Sequence, residues 1–135
     1  MKTVLLIAGL VLSPLAQAEV AVIVHPSNAA TLDADAVSKL FLGREKSFPG
    51  GAAAVPLALS DDAAATAEFN DKILKKPSSQ LKAYWSKLIF TGKGTPPKEI
   101  ASDAEMVKLI SSNPNMIGFV DAKAVDGSVK VVLKM

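Results

Sequence analysis

The chain has 135 residues, half of them hydrophobic, with 15 Lys and Arg against 13 Asp and Glu and no cysteine. That length suits a single domain with one modest core. The missing cysteine excludes disulfides, thiol chemistry and Cys-ligated metals, and the near-balanced charge calls for neither nucleic acid nor an anionic membrane as partner.

At the N-terminus, Lys2 supplies a positive start, the run from 4 to 11 is apolar apart from Gly9, and Ala16-Gln17-Ala18 is the small-x-small pattern of a signal-peptidase site. Ser13 and Pro14 interrupt the stretch, which falls short of the about 20 residues a membrane span needs. Residues 1–18 therefore read as a cleavable signal peptide and residues 19–135 as one mature domain, exported to the periplasm, with no membrane insertion after cleavage. Later apolar runs are broken by Lys, Asp or Glu within a few residues.

Val20 to Val24 is a continuous apolar run closed by His25-Pro26-Ser27-Asn28, which predicts a strand buried on both faces and then a turn. Asp33 can cap a helix whose Val37, Leu40 and Phe41 share a face, with Gly43 placed for a left-handed C-terminal residue. Ser47 to Gly51 is a loop. Val55 to Leu59 predicts a second strand, and from Asp62 the spacing of Phe69 and Ile73 predicts a helix that ends at Lys75-Lys76-Pro77. Ser78 can cap a third helix, in which Leu81, Tyr84, Trp85 and Leu88 form an amphipathic stripe expected to be buried. Trp85, Tyr84 and the phenylalanines are the expected anchors of the core. Gly92 to Pro97 reads as irregular, Ser102 to Glu105 as a capping box opening a fourth helix, and Asn113-Pro114 as its stop. Met116 to Val120 and Val129 to Leu133 are the last strands, separated by an Asp126-Gly127 turn. The order β-α-β-α-α-α-β-β, with strands that are apolar throughout, predicts an α/β fold: a mostly parallel sheet between layers of helices.

Chemistry-bearing constellations are sparse. His25 is the lone histidine and no serine sits in a Gly-x-Ser-x-Gly elbow, so a nucleophile triad cannot be assembled and no enzyme is expected. The carboxylates pair as Asp33/Asp35 and Asp61/Asp62 at helix starts, where capping and dipole complementation account for them without a metal. No cofactor is called for. Gly92-Lys93-Gly94-Thr95 lacks the earlier glycine of a phosphate loop and follows a helix, which favours a helix C-cap and connector. The junction from Ser60 to Phe69, a strand running through a short loop into a helix start, is a place where free amides could take an anion. Asp61 and Asp62 stand in the way, and a self-capped helix is the preferred reading of that junction.

Leu40-Phe41-Leu42-Gly43, the strand-loop-helix after it, and Ile117-Gly118-Phe119-Val120 following Asn113-Pro114-Asn115 resemble the phosphate-binding proteins of ABC importers. The stretches Ser79 to Trp85 and Phe90 to Gly94 are similar to short, single-lobe relatives of that family. The resemblance spans nearly all of residues 20 to 133 and implies a single three-layer lobe of the type 2 periplasmic-binding-protein-like fold. It also implies a periplasmic solute-binding role linked to phosphate import, with phosphate or another small anion as ligand and an envelope or transporter protein as partner. Ser27, Asn28, Ser60, Asp61, Thr66 and Lys93 are the expected ligand-binding residues. Two departures bear on that role. The chain has length for one lobe where full receptors use two, and Asp61-Asp62-Ala63-Ala64-Ala65 replaces an Asp-Gly-Ser-Gly-Thr-like run, with Thr66 where an arginine is often seen. Phosphate would lose most of its charge-assisted donors. Weak anion binding, alone or with a partner completing the cleft, is thus the first expectation. The alternative is a protein-interaction module of the cell envelope derived from one solute-binding lobe.

Overall fold

The structure, a computed structural model, describes residues 19–135. The expected signal peptide lies outside the described residues. The elements are β1 (Val20–Val24), α1 (Ala34–Phe41), β2 (Val55–Leu59), α2 (Ala64–Phe69) continued by a π-helical turn (Asn70–Leu74), α3 (Ser78–Phe90), β3 (Lys98–Ile100), α4 (Asp103–Ser112), β4 (Met116–Asp121) and β5 (Lys130–Lys134). They form one five-stranded sheet in the order β3-β2-β4-β1-β5. β2 runs parallel to β3 and β4, while β1 is antiparallel to both β4 and β5. Four strands thus share one direction and β1 alone opposes them, so the sheet is mostly parallel.

Neighbouring residues on β4 show the three layers, because side chains alternate faces along a strand. Gly118 abuts Met106 and Ile110 of α4. Phe119, one residue on, stacks on Phe69 of α2 at 4.1 Å between ring centroids and approaches Phe41 of α1 at 5.9 Å. Helices therefore cover both faces. β1 is buried along its whole length, as its unbroken apolar run demands.

Local signals operate where they were expected. Asp33 Oδ1 accepts the Ala36 N–H at 2.8 Å, and Ser102 Oγ accepts the Glu105 N–H at 3.2 Å. Gly43 adopts φ +72°, with its N–H on the Leu40 carbonyl and the next N–H, of Arg44, on that of Lys39. This is the paired closure that satisfies a helix C-terminus.

Three expectations are corrected. Lys98–Ile100 is a short edge strand where the chain had no apolar period to reveal it, since Lys98 and Glu99 are exposed. Ser78 does not cap α3: the extended residue before the helix is Pro77, and Ser78 is its first helical residue. The α3 stripe is not a core stripe either, because only Leu81 is buried and Tyr84, Trp85 and Leu88 are half-covered. Of the expected anchors it is the phenylalanines Phe41, Phe69 and Phe119 that hold the core. Deleting Trp85 should accordingly cost about 1 to 2 kcal/mol, since part of its surface never leaves water.

Candidate functional site

The ends of β2 and β4 define where a site can form. Val55 pairs with Met116, so the two parallel strands start together and deliver Ser60 and Asp121 to the same end of the sheet. Beyond Leu59 the chain turns through Ser60 to Ala63 into α2. Thr66 is buried, and its hydroxyl donates to the Ser60 carbonyl at 2.7 Å, tying the first turn of the helix back to the strand. Ser60 Oγ faces the Asp62 N–H at 3.4 Å.

Neither aspartate caps α2. The helix begins at Ala64, its N-cap is Ala63, and no side chain accepts an amide there. Asp61 and Asp62 sit before the cap position, and Asp61 turns toward Lys82 of α3 at 3.9 Å. Both partners of that ion pair are largely exposed, so it adds little stability. Among the described residues no acceptor takes the N–H groups of Ala64 and Ala65.

Against this junction lies a cleft of about 430 Å³, open to solvent, between the β2–β3 edge, the α2 segment and α3. Its apolar lining comes from Phe41, Phe69 and Phe119 of the core and from Leu81, Trp85 and Ile89 of α3. Asp61, Thr66, Asn70, Lys82 and Glu99 are among its polar groups.

Of the six expected ligand residues, the structure brings Ser60, Asp61 and Thr66 together at this junction, with Asp61 and Thr66 on the cleft wall. Ser27 and Asn28 lie elsewhere. Because β1 is antiparallel to β4, Val24 pairs with Ile117 near the start of β4, and the turn after it emerges at the opposite end of the sheet. There Ser27 Oγ meets His25 Nδ1 at 2.8 Å, Asn28 Oδ1 accepts the Ala30 N–H, and Lys130 Nζ donates to the Asn28 carbonyl. Lys93 is an exposed residue just past the C-terminus of α3. Its N–H closes on the Leu88 carbonyl at 2.8 Å after Gly92 at φ +68°, so the glycine pair serves as C-cap and connector.

Sequence reasoning missed Lys82, Glu99 and Asn70. For Asn70 a signal existed: Thr66, Phe69, Asn70 and Ile73 follow the spacing of one helix face, and a polar residue on a buried face asks for a reason.

No protein-family model matches the chain, and no curated protein matches it in sequence. Solved structures do match in fold. A phosphate ABC transporter substrate-binding protein from Clostridium perfringens, crystallised with bound phosphate, superimposes with a TM-score of 0.67 at 19% identity, over 85% of this chain and 45% of that one. An ABC-type phosphate transport receptor from Vibrio cholerae gives 0.58 at 16% identity, over 86% and 46% of the respective chains. PstS from Borrelia burgdorferi gives 0.59 at 13% identity, over 85% and 47%. The chain thus spans less than half the length of the proteins it matches, and shares with them the fold of one lobe.

Proposed function

We propose that this chain is a periplasmic solute-binding-like protein, not an enzyme, related to the receptors of phosphate ABC import and built as a single lobe. In this reading it holds a small anion weakly, or firmly only when a partner completes the cleft. The observation that carries the reading is the match of 85% of the chain to one part of a substrate-binding protein crystallised with phosphate. The unpaired amides of Ala64 and Ala65 at the β2–α2 junction are compatible with an anion. Asp61 and Asp62 oppose one, and Ala63 to Ala65 supply no hydroxyl.

Titration calorimetry of the purified protein against phosphate, sulfate and a neutral sugar tests the proposal. The expected phosphate affinity is no better than about millimolar, or about 4 kcal/mol. Micromolar binding would overturn it and direct attention to the far end of the sheet, where Ser27, Asn28 and Lys130 gather. Rebuilding a receptor-like anion loop is not a clean test, because Ala65 and Thr66 are 4% and 3% exposed. An arginine at position 66 would force a buried charge into the core.

The interaction-module reading draws support from one feature, the apolar end of α3, where Ile89 is 54% and Phe90 92% exposed. A photoreactive cross-linker placed at position 90 in cells would capture an envelope protein if that reading is right, and nothing specific if it is not.

A further inference from the structure

Asn70 is 7% exposed, and among the described residues no hydrogen-bond partner engages its side-chain amide. No side-chain polar atom among the described residues is both sealed from solvent and unpartnered, so the Asn70 amide must reach open space, and Asn70 borders both the cleft and a neighbouring depression lined by Asp71, Lys75 and Lys76. An amide that reaches open space is met by water, or by a polar group of a ligand that takes the water's place. Asn70 also opens the π-helical turn, a distortion that recurs at functional positions.

The rest of the cleft defines what that partner looks like. Its apolar lining includes the stacked pair Phe69 and Phe119 together with Leu81, Trp85 and Ile89 of α3, which suit a ring or a branched chain. Its ionisable lining is Asp61 and Glu99 against Lys82. That negative balance disfavours a carboxylate or phosphate head group. An uncharged amide meets no such opposition and can give and take a hydrogen bond with Asn70 at once.

We infer that the cleft between α2 and α3 binds a small molecule with an aromatic or branched aliphatic body and an uncharged amide head, held at Asn70. This rests on the solute-binding reading of the lobe but not on phosphate as the solute.

Trp85 is the sole tryptophan and stands on the cleft wall, so its emission reports occupancy directly. The probes are N-acetylphenylalaninamide, the matching acid N-acetylphenylalanine, acetamide and inorganic phosphate. The amide should give a saturable change at least about tenfold tighter than the acid, and acetamide, lacking the body, should give none. Asn70→Ala should weaken the amide at least about fivefold. Glu99→Gln, on an exposed edge strand, should narrow the gap between amide and acid even if Asn70→Ala fails to fold. A missing amide response, equal affinity for amide and acid, an unchanged gap in Glu99→Gln, or wild-type affinity in Asn70→Ala would each overturn the inference. Micromolar phosphate binding that displaces the amide would overturn both this and the weak-anion proposal, micromolar phosphate binding that leaves amide binding intact would overturn the weak-anion proposal alone, and absence of amide binding with millimolar phosphate would sink this one alone.

Discussion

Single positions on β4 and in the last turn carry much of the explanation. Gly118 is required by space: a Cβ there would stand 2.5 Å from Met106 Sδ and 2.8 Å from Ile110 Cδ1, so α4 packs on β4 only because nothing projects between them. Gly118→Ala should destabilise the protein by about 1 to 3 kcal/mol, as overpacking of a tight core does, read from the urea midpoint. Before β5, the Ser128 hydroxyl and then its backbone N–H donate to the Asp126 carboxylate and hold its pKa below the usual 3.8. A carboxyl lowered by folding contributes stability above its unfolded pKa, and that contribution is lost as pH falls through the folded value. Asp126→Ala should therefore be less stable than the parent at neutral pH, and the gap should close in acid; urea titrations at the two pH values check this. Asp103 has the opposite sign. Burial, with the nearby Asp121 charge, raises it above 3.8 against a hydrogen bond from the Asp121 backbone, so its contribution falls as pH rises through that window.

Among the helices, α2 and α3 depart most from what a local pattern implies. α2 starts on Ala63, whose φ of −71° and ψ of 135° are those of an N-cap but whose side chain has nothing to offer. Ala63→Ser should stabilise by about 1 kcal/mol, raising the melting temperature by about 3 to 5 °C for a domain of this size. An unchanged melting curve would mean that the loop, and not the helix end, already satisfies those amides. α3 is held to the body by buried Leu81 and by the Tyr84 hydroxyl, which donates to the Leu42 carbonyl at 2.6 Å. The Trp85 ring packs edge-on to Tyr84 and close over Gly43, where a Cβ would lie 3.3 Å from it. One side of α3 thus closes the cleft while its C-terminal end stays apolar and uncovered.

Across the whole molecule, stability is graded from β1 outward. β1 is hydrogen-bonded on both sides, by β4 and β5, and fully buried, whereas α3 has one buried side chain. Amide hydrogen exchange should show β1 and β4 opening only with global unfolding and α3 exchanging at least about tenfold faster. Comparable protection in α3 would show that its contacts with the body are stronger than its burial indicates. This gradient also separates what was readable in advance from what was not. The β1 strand, the Asp33 and Ser102 caps, the Gly43 and Gly92 stops and the α/β class were in the sequence, because each depends on residues within one turn of each other or on an unbroken apolar run. The direction of β1 was not, since it is chosen by pairing with β4 and β5, which lie at the far end of the chain. That choice separates Ser27 and Asn28 from Ser60, Asp61 and Thr66. Nor could spacing alone tell that Trp85 stops half in water or that Asn70 opens onto a cleft, because burial is decided by what other elements leave uncovered, and only the packed chain determines that.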